Sequence, residues 1–192
     1  HTAGSNSYTR AEAPGVVRGI YHWHTQGNGW NDIGYNFLVD RYGQVYEGRY
    51  GGMDRGVVGA HAAGWNTGTF GVAVMGNFEV ATPPAAAVTA ATNVLAWGFA
   101  RHGIDPRPNA TVHHNGRTIS TLVGHRDVGQ TSCPGRFLAS RMADMRQGIH
   151  SRNGTSAVAT GGVPVVGDWN GDGRETPGSF VDGTWYLSNE LS

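Results

Sequence analysis

Two hydrophobic periods alternate along the chain. Thr9 and Glu12 have the spacing of a capping box, and Pro14 suits a first helical turn. Val17, Tyr21 and His24 then recur at helical spacing, which predicts a helix over about 11–25, ending before Gly27-Asn28-Gly29. The period next drops to two. Tyr35, Phe37 and Val39 alternate with Asn36, Leu38 and Asp40, a turn falls at Tyr42-Gly43, and Val45-Tyr46-Glu47 returns as the second arm of a hairpin. Residues 50–69 are glycine-rich and read as loop, whereas Phe70 to Gly76 reads as a buried strand. Pro83 and Pro84 open a helix to about residue 102, with Val88, Ala91, Leu95 and Phe99 on one face. A polar hairpin or loop covers 105–117, and Ile119 to Val123 is a short strand running into Gly124-His125. Leu138, Met142, Met145 and Ile149 mark a final helix.

Strands alternating with helices predict an α/β domain over residues 1–150, with a central mixed β-sheet flanked by helices. Residues 151–162 are rich in Ser, Thr, Gly and Ala and read as a flexible linker. Residues 163–192 place Trp169, Phe180, Trp185 and Tyr186 between Gly-bounded turns. That segment is too short for its own core and reads as a partial, β-rich repeat.

Composition narrows the function classes. Hydrophobic residues make up 39% of the 192 and charged residues 15%, enough apolar content to bury a core. No apolar run approaches the roughly 18 residues a membrane span needs. Fourteen basic residues balance fourteen acidic ones, so the basic footprint of a nucleic-acid binder is missing. All fourteen basic residues are arginine, a bias that points to GC-rich coding. The single cysteine, Cys133, forbids an internal disulfide framework. Nine histidines direct attention to metal or acid–base chemistry. His1 to Ser5 include no initiator methionine and no signal-peptide pattern, so the chain reads as a mature product or a fragment.

The strongest chemical constellation is Gly124-His125-Arg126-Asp127 followed by Thr131-Ser132-Cys133-Pro134-Gly135. An imidazole at a strand end and a thiol on the next loop can converge on one zinc ion, which accepts both donors. A buried cysteine beside an ordinary loop histidine fits the spacing equally well. A third reading makes Cys133 a nucleophile, with His125 as base and Asp127 as the nearby acid.

Further strings occur in order with this one: Thr2-Ala3-Gly4, Gly29-Trp30-Asn31-Asp32-Ile33-Gly34-Tyr35-Asn36-Phe37-Leu38-Val39, Tyr46-Glu47-Gly48-Arg49, Gly59-Ala60-His61 and Gly76-Asn77-Phe78. Together they closely resemble the peptidoglycan recognition protein family, the type 2 N-acetylmuramoyl-L-alanine amidases, over residues 1 to about 148. The resemblance implies a zinc hydrolase that cuts the amide between N-acetylmuramic acid and the L-alanine of the stem peptide. It assigns His125 and Cys133 as two of three metal ligands, Tyr35 as the catalytic tyrosine, and Thr131 as a group steadying developing negative charge. The family's first ligand is the leading histidine of a His-His-Thr-like string, and His1 matches the second histidine. On a strand that neighbour points to the opposite face. A histidine just upstream of His1 is therefore expected. His24, Trp30, Arg49, His61 and Asn66 sit in or beside motifs that line the substrate groove in the family, with Glu47 or Asp54 as alternative partners for Arg49. The resemblance implies muramyl peptide as partner, a monomer, and a secreted or cell-wall-associated bacterial protein. A non-catalytic peptidoglycan-binding module is the alternative.

In the tail, Asp168, Asn170 and Asp172 have the oxygen spacing of a calcium loop, although position 12 would be Ser179 rather than a glutamate. The segment is similar to the calcium loops of integrin-like β-propeller repeats, and an ordinary Asn-Gly turn is the simpler alternative.

Overall fold

A computed structural model describes residues 1–2 and 4–154, and beyond them the strand segments 163–167, 176–181 and 184–187. The first helix, α1, is Ala13–His22. Its entry is tied as the spacing predicts: Thr9 N–H donates to Glu12 Oε2 (2.8 Å) and Glu12 N–H donates to Thr9 Oγ1 (3.3 Å). A π-helical turn, Trp23–Gly27, carries the helix to its expected end. The buried stripe differs from the expected one. Ala13, Ile20 and His24 face inward, whereas Tyr21 is 49% exposed.

Three short strands form the central sheet: β1 (Phe37–Val39), β2 (Val45–Glu47) and β3 (Val72–Val74), in the order β2-β1-β3. β1 runs antiparallel to β2 and parallel to β3, so the sheet is mixed, as expected. Thr2 adds a parallel bridge on the outer edge of β3, its N–H donating to Val74 O (3.1 Å) and its O accepting from Gly76 N–H (2.8 Å). All three residues of β1 are buried, although strict alternation predicts one covered face. The cause is a helix layer on each side. Leu38 packs with Tyr8, Ala13, Ile20 and Met75 beneath α1, while Val39 packs with Val74, Leu95, Phe99 and Ile149 on the other face. At the hairpin turn the buried Asp40 accepts from the N–H groups of Tyr42 (2.8 Å) and Gln44 (2.9 Å) and from the Tyr46 hydroxyl (3.1 Å). Burial and that carboxylate hold the Tyr46 hydroxyl well above its ordinary pKa.

The second layer contains α2 (Ala85–Arg101), α3 (Arg136–Ala139) and α4 (Met142–Gly154). The predicted final helix is thus two helices. α4 also takes in Ser151–Gly154, so the first residues of the expected linker are helical. Tertiary bonds hold that last turn: Arg152 Nε donates to Asn93 Oδ1 (2.7 Å) and Asn153 Nδ2 to Ala96 O (3.0 Å), both on α2.

Between α2 and α3 the chain makes a separate hairpin of β4 (Thr111–His114) and β5 (Arg117–Ser120). Asn115 (φ +48°) and Gly116 (φ +73°) form its turn, the left-handed pair that matches strand twist. The strand expected at 119–123 therefore begins two residues earlier, ends at Ser120 and pairs outside the central sheet. His125 opens a single 3-10 turn, His125–Asp127, rather than ending a strand.

In the tail, β6 (Val163–Gly167), β7 (Thr176–Val181) and β8 (Thr184–Leu187) form an antiparallel meander. The candidate calcium residues Asp168, Asn170 and Asp172 lie outside the described residues, as do 155–162 of the expected linker. Among the described residues no helix is long and apolar enough to cross a membrane.

Candidate functional site

The segment 124–135 is folded by its own backbone. Gly124 N–H donates to Asp127 Oδ2 (2.7 Å), Arg126 N–H donates to Cys133 O (2.8 Å), and His125 O accepts from Gly129 N–H (2.9 Å). These bonds bring His125 and Cys133 side by side. Gly135 (φ +86°) lets the chain press against its neighbour, since a Cβ there would lie 2.4 Å from the Phe78 carbonyl carbon. The Cys133–Pro134 peptide is cis. Asp127 spends its carboxylate on the Gly124 backbone and not on His125, which removes the acid that the cysteine-nucleophile reading needs. The Thr131 hydroxyl accepts from Cys133 N–H (3.1 Å) and is exposed beside the thiol.

Burial pushes the Cys133 thiol up, but hydrogen bonding from the His1 and His125 side chains outweighs it and brings the thiol below its ordinary pKa. His1 thus stands beside the pair, not on the opposite face as expected, and its α-ammonium reaches Cys133 Sγ at 3.0 Å. Thr2 is held by a single bridge to Met75 and His1 lies before it, so the strand alternation does not bind His1. A thiolate and a neutral imidazole are suitable zinc donors. Among the described residues, however, no group of three or more His, Cys, Asp or Glu side chains is arranged to hold a metal ion. His125 and Cys133, the pair expected to hold metal, stand together without a third such side chain arranged around them among the described residues.

Tyr35 stands at the entry to β1, half-buried, and burial holds its hydroxyl in the protonated form by raising its pKa. His24, only 2% exposed, packs against Tyr35 (ring centroids 5.5 Å), Trp30 (4.8 Å) and Trp23 (5.1 Å). Its Nδ1 accepts the Gly34 N–H (3.1 Å), and burial, followed by the charge of Arg49, lowers its pKa, so it is neutral. His24 is therefore a support behind Trp30 and Tyr35. Trp30 itself is 38% exposed. Arg49 bonds neither Glu47 nor Asp54. Its Nε donates to Ile33 O (2.9 Å) and its N–H to Tyr35 O (2.7 Å), tying down the loop before β1.

The loop between β2 and β3 carries His61 and Asn66. Asn66 Oδ1 accepts the N–H groups of both His61 and Ala62 (2.8 Å each), which fixes the His61 backbone. The His61 ring bonds Thr69 Oγ1 through Nε2 (3.1 Å), while its buried Nδ1 makes no well-aligned hydrogen bond within the protein. Burial is the first cause that lowers its pKa, to about 4, against an opposing contact with the Gly34 backbone and with the charges of His125 and Arg49 adding to the fall.

A groove of ≈ 580 Å³ opens beside this centre, between Val16, Ile20 and Trp23 of the first helix and His1, Thr2 and Tyr35. The groove-facing stripe is 16, 19, 20 and 23, one position off the stripe 17, 21 and 24 that the helical spacing predicts.

Residues 1–136 match the family model described as N-acetylmuramoyl-L-alanine amidase, Amidase_2. The chain belongs to this amidase family. Relatives include peptidoglycan-recognition protein SC2 of Drosophila simulans, 39% identical over 70% of this chain and 65% of its own length. Peptidoglycan recognition protein 1 of Bos indicus is 40% identical over 70% of this chain and 63% of its own. The chain thus spans just under two thirds of the length of these curated relatives. Among solved structures, human PGRP-IβC in complex with glycosamyl muramyl pentapeptide superposes with a TM-score of 0.57 at 31% identity, covering 71% of this chain and 73% of that one. The mixed α/β fold expected from the sequence is the fold of this family.

Proposed function

We propose that this chain binds the muramoyl–L-alanine region of peptidoglycan and that its site is built for zinc-dependent hydrolysis of the N-acetylmuramoyl-L-alanine amide. The observation that carries the reading is the meeting of the His125–Cys133 pair, Tyr35 and the α1-walled groove at one place. The muramyl pentapeptide held by the related human protein supports the substrate class. Trp30 offers a ring face to a sugar or lactyl group, and apolar contact there excludes water. The Tyr35 hydroxyl keeps its proton and so can donate to oxyanion charge as it develops, while the Thr131 hydroxyl offers a weaker, neutral dipole beside the thiol. Neutral His61 is the candidate polar contact for the stem peptide on the loop between β2 and β3. A peptidoglycan substrate sets the place of action at or outside the cell wall, in keeping with a secreted or wall-associated protein. The same groove in a single chain needs no second copy, which supports a monomer. In the tail, calcium at Asp168, Asn170 and Asp172 remains part of this reading.

The incomplete donor set favours a second reading, recognition without cleavage. One comparison separates them: zinc content and amide cleavage of a muramyl pentapeptide, in the chain as it stands and with a histidine placed immediately before His1. Zinc and chelator-sensitive cleavage in the extended chain alone support the hydrolase, with three donors required. Tight muramyl-peptide binding without cleavage in either overturns it and leaves the recognition module. Binding in neither sinks both.

A further inference from the structure

We propose that Arg117, on the β4–β5 hairpin, is a positioning residue that fixes the loop carrying His61, the first wall of the candidate site, relative to the turn carrying His125, the second. These two segments are near enough for the charge of His125 to act on His61. The hairpin stands apart from the central sheet, and its exposed polar strands have no catalytic assignment. Its tip nevertheless touches both walls. The Arg117 guanidinium lies over the Trp65 ring, 5.4 Å from its centroid, and Nη2 of the same group donates to Asp127 O (3.2 Å). Two further contacts join the tip to the first wall: Asn115 Nδ2 donates to Gly64 O (2.9 Å), and the His114 ring packs on Trp65 at 5.6 Å.

From each contact a short chain of bonds reaches a site histidine. Trp65 is buried, and its carbonyl accepts the Thr69 hydroxyl (2.5 Å), which also meets His61 Nε2 (3.1 Å). Asp127 closes the turn that His125 opens and ties back to Gly124. One planar cation therefore stacks on the first wall and hydrogen-bonds the second. A guanidinium suits this double task, because its face and its edge are used at once. Arg117 itself is exposed, so little of the core depends on it.

The inference rests on the muramyl-peptide reading for what the positioned site binds, but not for the positioning itself. The test compares the full chain with Arg117→Met and Arg117→Lys by three readouts: melting temperature, Kd for a soluble muramyl pentapeptide, and the His61 ring resonances in the free protein. A sub-ångström loosening of one wall weakens binding about tenfold, by the same reasoning that makes a 1 Å misplacement cost more. Arg117→Met is expected to show that loss and shifted His61 resonances, with the melting temperature nearly unchanged. Arg117→Lys is expected to recover only part of the affinity, since an ammonium keeps the charge but has no planar face to stack on Trp65 while its edge donates to the Asp127 carbonyl. Unmoved His61 resonances overturn the proposal, and so does a fall in melting temperature with affinity intact. If the parent chain binds no muramyl pentapeptide, the functional reading fails, and the resonances alone decide the positioning.

Discussion

The His61 imidazole lies between two glycines. A Cβ on Gly59 would sit 2.4 Å from its Nδ1, and one on Gly71 would sit 2.5 Å from its Cγ, distances no real contact shows. Both glycines are thus required by the ring they enclose. Gly71→Ala is expected to displace the ring, cost about 1–3 kcal/mol through overpacking, and weaken muramyl-peptide binding about tenfold. Urea unfolding and a binding titration measure the two effects, and wild-type affinity in a folded Gly71→Ala protein would remove His61 from the site. At this scale residue types were legible in the sequence but partners were not. Cys133 lies beside His125 and near Tyr35. Arg49 gave no sign that its guanidinium serves carbonyls sixteen residues back, and Asn66 gave no sign that its oxygen holds two backbone N–H groups. Those choices are made where loops from different elements touch, and no local pattern encodes them.

Elements were read better where a single period ran long. The helix Ala85–Arg101 and the hairpin of β1 and β2 fall within a few residues of expectation because tertiary packing and local period agree. The errors lie where packing overrides the pattern: β1 is covered on both faces, and α4 runs past the expected linker boundary on side-chain bonds to α2. The start of α3 depends on one such packing constraint. Gly135 has φ +86° and no room for a side chain against Phe78 and Glu79, while Phe137 N–H donates to Phe78 O (3.0 Å). Gly135→Ala strains the backbone and the contact together, so a loss of about 3 kcal/mol is expected. Thermal or chemical unfolding gives the value. A loss below about 0.5 kcal/mol, the scale of an ordinary surface change, would show that the segment after Cys133 shifts freely.

Across the whole molecule, the three layers bury two neutral imidazoles, His24 beneath Trp30 and His61 in its glycine slot, and this makes stability depend on pH. Both have pKa values lowered chiefly by burial, His61 to about 4 from 6.5. The sign follows from which state takes up the proton. Above pH 6.5 the imidazole is neutral folded and unfolded, and its full contribution to stability is present. As pH falls below 6.5 the unfolded chain binds a proton that the folded one refuses, so stability declines until the folded pKa near 4 is passed and then levels. For His61 alone the loss over that window is about 3 kcal/mol. His24 adds in the same direction. Urea unfolding at pH 7, 5.5 and 4 is expected to show this decline, and His61→Gln should reduce its slope to the part that belongs to His24, since glutamine has no proton to gain. An equal slope in His61→Gln would mean that the ring is hydrated or already charged, and would undo the neutral His61 that the proposed site needs.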